Sequence, residues 1–143
     1  MELSCKTQYA LLALLELANR HDQGEPIQVR QLAAIHQIPD RYLEQLLATL
    51  KRGGLVRSQR GAKGGYLLAK EPLQITLFDI VNCLEGAATE NSSTHSSHPG
   101  QIVVQEVWQE AQQAANSVLQ KHTLQDLCEQ LEVQQQVNLM YYI

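Results

Sequence analysis

Residues 38–68 read IPDRYLEQLLATLKRGGLVRSQRGAKGGYLL, and this segment sets the expected architecture. Its first half predicts a helix, because Pro39 suits a first helical turn, where a missing N–H is harmless. The apolar positions of this helix fall on one face, at Leu43, Leu46, Leu47 and Leu50. The pair Gly53-Gly54 then ends the helix as a C-terminal cap.

Two short apolar segments, 55–58 and 66–69, flank the basic, glycine-rich run RGAKGG. This pattern predicts two strands joined by a flexible turn. Upstream, Val29, Leu32 and Ala33 predict a short amphipathic helix. A helix sized for the major groove, followed by an Arg/Lys-tipped β-ribbon, is typical of a winged helix-turn-helix. We therefore expect a mainly α-helical fold with a small β-hairpin wing, in a regulator that binds double-stranded DNA.

The charge of the chain is divided between its two halves. The whole chain has a net charge of −4, which alone is unusual for a DNA-binding protein. Residues 1–70 hold ten Lys/Arg and six Asp/Glu, a net +4, whereas residues 71–143 hold one and nine, a net −8. Residues 41–63 contain six Lys/Arg residues and a single acidic residue, Glu44, so this segment has a net charge of +5. A local basic patch governs the attraction to phosphate. The sequence therefore indicates a basic N-terminal part, called the head below, and an acidic C-terminal part.

Further helices are predicted on both sides of this head. Residues 9–18, YALLALLELA, are apolar almost all round, which predicts a helix at a domain centre. A helix over 77–86 precedes small and polar residues that predict a loop with little structure. A long helix from residue 101 to about residue 121 and a last helix from residue 123 to about residue 136 follow. The expected organisation is a winged head at 1–85, a flexible loop at 86–100, and a dimerisation helix with a C-terminal helical segment at 101–143.

The long helix carries a broad apolar stripe that has no evident partner within so small a chain. Its opposite face is rich in Gln rather than in charged residues. An exposed apolar helix face of this size is typical of a protein–protein interface, and regulators that bind palindromic DNA do so as dimers. We therefore expect a homodimer. The predicted interface residues are Val104, Val107, Trp108, Ala111, Ala115 and Val118.

Several classes of protein are disfavoured. No apolar run approaches the roughly 20 residues that span a bilayer, and the N-terminus MELSCKTQYA lacks the basic-then-apolar layout of a signal peptide. Cys5, Cys83 and Cys128 are odd in number and widely spaced, which argues against a disulfide framework and fits a reducing cytoplasm. The chain has no P-loop, GxSxG or HExxH motif, so we expect no enzymatic activity and no membrane partner.

With these segments placed, the chain resembles the Rrf2 family of bacterial transcription regulators. The resemblance rests on SCKTQYALLALLELA at 4–18, YLEQLL at 42–47 and RGAKGGYLL at 60–68. It is strong over about residues 1–85, weaker over the helix of Trp108, and absent from the tail. It implies a dimer whose long helices cross and whose two winged heads bind near-palindromic promoter DNA.

The resemblance also implies roles for single residues. Tyr42 and Gln45 match positions that read base edges, where a Gln amide can pair with adenine and a Tyr can contact phosphate or a thymine methyl. The alternative for Tyr42 is to pack its ring on the first helix. Arg60 matches the wing arginine that enters the minor groove. Glu44 would repel phosphate or accept from cytosine. The cations expected to contact phosphates are Arg41, Lys51, Arg52, Arg57 and Lys63.

One departure from the family concerns iron. Many relatives hold an iron–sulfur cluster on three cysteines in the loop before the long helix, but here no cysteine follows Cys83 before residue 107. Clusters are held chiefly by thiolates. His95 and His98 alone are short of the three or four ligands of a tight metal site. We therefore expect no metal and no cofactor, and a signal that comes from a partner protein or a small ligand.

Two alternatives stay open. The chain could be an unorthodox iron–sulfur or thiol redox sensor, for which Cys5 beside Lys6 is the best reactive thiol, since a nearby cation favours thiolate. A degenerate winged helix could instead serve as a protein-interaction module. Salt-dependent binding to a palindromic duplex, lost on Arg60→Ala or Gln45→Ala, separates DNA binding from the second alternative.

Overall fold

The computed structural model describes residues 3–89 and 98–141, and their architecture confirms the predicted fold class. The helices are α1 (Cys5–Asn19), α2 (Val29–His36), α3 (Asp40–Arg52), α4 (Leu77–Thr89), α5 (Pro99–Lys121) and α6 (Leu124–Tyr141). The strands are β1 (Val56–Gln59) and β2 (Gly65–Leu68), which pair antiparallel as a hairpin. No helix within these ranges is long and apolar enough to cross a membrane.

The core of the head is built from the apolar faces of α1, α2 and α3. The predicted leucine face of α3 is confirmed, and its buried members are Leu43, Leu46, Leu47 and Leu50. They cluster with Leu14 of α1 and Leu32 of α2, both fully buried. Gln37, with a φ of +55°, makes the tight turn from α2 into α3. Burial of one face of α3 leaves its other face free at the surface of the head.

A short bridge that the sequence did not reveal attaches the wing to the head. The Ile27 N–H donates to the Tyr66 carbonyl at 3.0 Å, and the Tyr66 N–H donates to the Ile27 carbonyl at 2.8 Å. A Cβ at Gly65 would clash with the backbone of Ile27, and the φ of Gly65 is +150°. Glycine at this position therefore allows the close approach that fixes the wing beside the start of α2.

The last helix returns to the head. Thr76, before α4, and Thr123, before α6, form an antiparallel bridge that joins the two helix starts. Each threonine also exchanges two hydrogen bonds with an aspartate three residues later, Asp79 and Asp126, and so caps its helix. The buried residues of α6 are Leu124 and Cys128, which join the core cluster of the head. The first half of α6 is therefore part of the same core as α1.

The connection before α5 is more helical than the sequence indicated. α4 extends to Thr89 and α5 begins at Pro99, so both ends of the predicted loop 86–100 are helical. Alanines favour continuation of α4, and proline suits the first turn of α5. Residues 90–97, which include His95, lie outside the described residues. α6 also runs on to Tyr141, past the predicted end near residue 136.

Candidate nucleic-acid interface

The exposed face of α3 is the front of the candidate interface. Arg41, Glu44 and Gln45 are all exposed, on the side of α3 opposite its leucine face. Thr49 donates its hydroxyl to the Gln45 carbonyl at 3.0 Å, which keeps that hydroxyl within the helix. The Gln45 side chain is thus presented at the surface by a helix whose other face is locked in the core. An exposed amide of this kind can both donate to and accept from a base edge.

Tyr42 does not lie at the exposed front of α3. It is half-buried, and its ring packs edge-on against the ring of Tyr9, with centroids 5.8 Å apart and an interplanar angle of 81°. Edge-to-face packing of this kind stabilises the contact between two helices. The structure therefore places Tyr42 between α1 and α3, the alternative that the sequence left open, and leaves Gln45 as the more accessible candidate for base contact.

The end of α3 is tied to the wing. Lys51 donates to the Ser58 hydroxyl of β1 at 2.7 Å. Arg52 donates to the Thr49 hydroxyl at 3.3 Å, and both cations are exposed. An open groove separates α3 from the wing, and its lining residues are Gln45, Ala48, Thr49, Lys51, Arg52 and Tyr66. The helix and the wing therefore form one continuous, basic surface.

The wing presents three cations to solvent, Arg57 from strand β1 and Arg60 and Lys63 from its tip. The tip itself is held by backbone, because the Gly64 N–H donates to the Gly61 carbonyl at 3.0 Å. A Cβ at Gly64 would clash with the Gln59 carbonyl, so the narrow turn needs glycine there. A guanidinium on such a rigid, narrow tip can enter a minor groove.

The cations of this surface are available to an anion. Within the described ranges, Arg20 forms an ion pair with Glu16, and the side chains of His21 and His36 lie within 4 Å of the carboxylates of Glu71 and Glu16. None of these pairs uses a cation that the sequence assigned to phosphate contact. Unpaired surface cations keep their full attraction for phosphate, screened only by salt.

The apolar stripe of α5 separates into two faces. Trp108, Ala115 and Leu119 line a groove of about 330 Å³ against Phe78 and Val81 of α4 in the same chain. The second face is left uncovered. Its residues are Val104, Val107, Ala111, Ala114 and Val118, which recur every three or four positions. Val104, Val107 and Val118 are 68%, 62% and 54% exposed, and no residue of α5 is fully buried. Trp108, also predicted at a dimer interface, therefore partly faces α4.

The cysteines occupy three different environments. Cys5 is exposed at the start of α1, Cys83 is half-buried, and Cys128 is buried in the head. Burial raises the pKa of the Cys83 thiol, although the charges of Arg52 and Lys6 partly oppose this. Burial also raises the pKa of the Cys128 thiol, together with the carboxylates of Glu132 and Glu129. Both thiols therefore form the thiolate less readily than an exposed cysteine does.

The described residues do not fit an iron–sulfur cluster. Among residues 3–89 and 98–141, no three His, Cys, Asp or Glu side chains come together as a metal site. Cys83 donates its S–H to the Thr49 carbonyl at 3.5 Å and packs against Gly53, so its sulfur is already enclosed by α3. His98 lies at the start of α5 and accepts from the Gly100 N–H.

Comparison with known proteins identifies clear relatives. A model of the Rrf2 family, described as an iron-dependent transcriptional regulator, matches residues 3–130. The HTH-type transcriptional regulator CymR of Bacillus subtilis is 36% identical over 141 residues, covering 99% of both chains. A putative HTH-type transcriptional regulator of Synechocystis, slr0846, is 39% identical over 129 residues, covering 89% of this chain and 87% of the relative.

Solved structures give the same likeness in three dimensions. The structure of T. potens IscR superimposes with a TM-score of 0.79 at 34% identity, covering 94% of this chain and 91% of that one. The structure of CymR, described as the global cysteine regulator of B. subtilis, superimposes with a TM-score of 0.74 at 36% identity, covering 90% of this chain and 97% of that one. The likeness extends over the head and into α5 and α6, where the sequence resemblance was weak or absent.

Proposed function

The chain belongs to the Rrf2 family of transcriptional regulators, and on that premise we propose that it binds near-palindromic promoter DNA as a homodimer. Its relatives are HTH-type transcriptional regulators, and the chain is itself a DNA-binding regulator rather than an enzyme. The observation that carries the proposal is the continuous basic surface of α3 and the wing, backed by a fully buried leucine face.

In the proposed complex, α3 enters the major groove and the wing reaches the minor groove. Gln45 contacts a base edge, because its amide is exposed on the front of α3. Arg60 enters the minor groove from the tip of the wing. Tyr42, whose ring is packed on Tyr9, contributes its hydroxyl alone, as a phosphate contact. The residues proposed to contact phosphates through their charge are Arg41, Lys51, Arg52, Arg57 and Lys63.

The second copy of the chain covers the outer face of α5. Three valines on that face are more than half exposed, which is costly for a helix in water. Ala111 and Ala114, at the middle of the face, would let two helices approach closely, with valines packing on either side. A two-fold axis through this contact places two heads on one duplex, so the operator is expected to be an inverted repeat.

Selection of bound duplexes from a random library tests this proposal directly. We expect an inverted repeat, bound with a steep salt dependence. Arg60→Ala and Gln45→Ala should each weaken binding to the selected duplex, while Arg20→Ala, whose guanidinium is paired with Glu16, should not. Recovery of no preferred sequence, with weak binding that all three variants share, would support a protein-interaction module instead.

We further propose a cytoplasmic regulator that works without a cluster on three loop cysteines. The grounds are the sequence of the loop, which has no cysteine between Cys83 and Cys128, and the different environments of the three cysteines, exposed, half-buried and buried. Iron and acid-labile sulfide should be absent from protein purified without oxygen, and that protein should still bind the selected duplex. A stoichiometric cluster would contradict this part of the proposal and make iron or redox state the signal.

A further inference from the structure

A second basic region lies beside the recognition helix, near the base of the wing, where Leu55 and Lys70 flank the two strands. It is an open groove of about 640 Å³ between the end of α3, the start of α1 and the middle of α4. Its polar lining consists of Lys6, Thr49, Arg52, Lys70, Asp79, Asn82 and Cys83. Three cations and one carboxylate therefore face the same space, a local charge of +2. Neither Lys6 nor Lys70 has a place in the DNA contacts proposed above.

Two of these cations lie near the thiol of Cys83, because the charges of Arg52 and Lys6 both act to lower its pKa. Lys6 donates from Nζ to the Leu84 carbonyl at 3.0 Å. Arg52 donates from Nη2 to the Thr49 hydroxyl at 3.3 Å, and the carbonyl of Thr49 in turn accepts from the Cys83 thiol. Both cations thus lie near Cys83, although they come from different helices. The ammonium of Lys6 keeps two further N–H groups, and the guanidinium of Arg52 keeps four.

The single carboxylate of the groove is committed elsewhere. Asp79 accepts from the Thr76 N–H at 3.1 Å as part of the cap of α4. Among the described residues, no carboxylate lies within 4 Å of the charged groups of Lys6, Arg52 or Lys70. Like charges held close together without a counter-ion repel one another, so an anion in the groove would relieve that repulsion.

We propose that this groove is an oxyanion site of the phosphate class, held by Lys6, Arg52 and Lys70 and floored by Cys83. Phosphate oxygens suit it, because each can accept from a different cation at once. The source of the phosphate is either a free anion, inorganic or carried by a small metabolite, or the backbone of bound DNA. The DNA source rests on the proposed function, whereas the free anion does not.

The position of the groove links its occupant to the recognition helix. Arg52 lines both this groove and the groove between α3 and the wing. Gly53, the residue after α3, has no room for a side chain because Cys83 fills that space. A free anion that engages Arg52 would therefore withdraw a charge from the DNA-binding surface. By reciprocity, DNA and the free anion would weaken the binding of each other.

Titration of the DNA-free full-length protein with inorganic phosphate tests the free-anion source. Ionic strength is held constant with chloride. Saturable binding is expected, weakened about tenfold by Lys6→Gln and by Lys70→Gln, because each variant loses a charge-assisted hydrogen bond. Lys121→Gln, an exposed lysine at the end of α5, is the matched control and should leave phosphate binding unchanged. Lys70 is itself exposed, so Lys70→Gln keeps the test sound even if Lys6→Gln lowers stability.

The salt dependence of duplex binding tests the second source. If DNA phosphate occupies the groove, Lys6→Gln and Lys70→Gln should each lower the slope of log affinity against log salt by about 1, and Lys121→Gln should not. Phosphate binding with an unchanged slope assigns the site to a free anion, and a changed slope without phosphate binding assigns it to DNA. If phosphate does not bind and both slopes match that of Lys121→Gln, the groove is not an oxyanion site. Failure to bind any duplex would overturn the proposed function but leave the phosphate titration decisive.

Discussion

Helices α3 and α5 both have an apolar face, but the face of α3 is buried within the chain whereas that of α5 is largely exposed to solvent. α3 has 13 residues and buries four leucines inside its own chain. α5 has 23 residues and fully buries none, even though its valines recur at helical spacing. The difference indicates that the head has a core within one chain, and it supports the proposal that a second copy covers α5. Folding and assembly are therefore expected to depend on different residues, and mutations can separate them.

The largest effect is expected from a charge on the uncovered face of α5. Val107→Glu should raise the dissociation constant of the dimer by about 10²–10³, because an unpaired charge in an apolar interface costs about 3–5 kcal/mol. Tight operator binding should be lost with the dimer. Analytical ultracentrifugation measures the change. Val133→Glu on α6 is the matched control, since Val133 is 57% exposed and Val107 is 62% exposed. A dimer that survives Val107→Glu would contradict the comparison.

The next largest effect concerns the face of α3 that the head buries. Leu47→Ala should lower the free energy of unfolding by about 2–5 kcal/mol, since Leu47 is fully buried and its truncation leaves a cavity. Chemical denaturation gives the value. Leu73→Ala, at a leucine that is 67% exposed, should shift it by only about 0.5 kcal/mol. An equal loss of unfolding free energy in the two variants would mean that the buried leucine face of α3 does not stabilise the head.

A smaller effect is expected on the exposed face of the same helix. Gln45→Ala should cost about 1–3 kcal/mol of binding to the selected duplex and relax its sequence preference at one base pair of each half-site. Competition between duplexes that differ at single positions measures this change. Stability should be unaffected, because Gln45 is exposed. A uniform loss of affinity across all duplexes would show that Gln45 does not read a base.

The smallest effect is expected at the junction of α3 and the wing. Lys51→Ala should weaken every duplex by a similar amount, about 1 kcal/mol or less, and lower the salt slope by about 1. The loss of its hydrogen bond to Ser58 should not change sequence preference, because both groups are exposed. Filter binding at several salt concentrations, with Lys121→Ala as control, measures the slope. Altered preference at a single base pair would contradict a role limited to phosphate contact.

Sequence periodicity predicted the architecture of the head well, because the spacing of apolar residues shows which face of a helix or strand is buried. The leucine face of α3 and the wing hairpin are confirmed in this way. The spacing of apolar residues does not show which other helix or strand the buried face packs against. The packing of Tyr42 on Tyr9, the bridge from Ile27 to the wing, and the return of α6 into the core depend on tertiary contacts.

The sequence also did not show what the apolar stripe of α5 packs against. A broad stripe predicted burial, but only the three-dimensional arrangement separates the side that faces α4 from the side that faces solvent. The predicted interface residues were Val104, Val107, Trp108, Ala111, Ala115 and Val118. Trp108 and Ala115 also line the groove against α4, although Trp108 is 61% exposed. The Thr76–Asp79 and Thr123–Asp126 caps were visible as a repeated motif, and they could have indicated that α4 and α6 start at equivalent points.

The central claim is that the uncovered face of α5 joins two heads that read one inverted repeat. Native mass spectrometry of the protein on its selected duplex tests this most directly, with a duplex that carries a single half-site for comparison. The account predicts two 16.0 kDa chains per inverted-repeat duplex and much weaker binding to the half-site. One chain per duplex, bound equally well to the half-site, would contradict it.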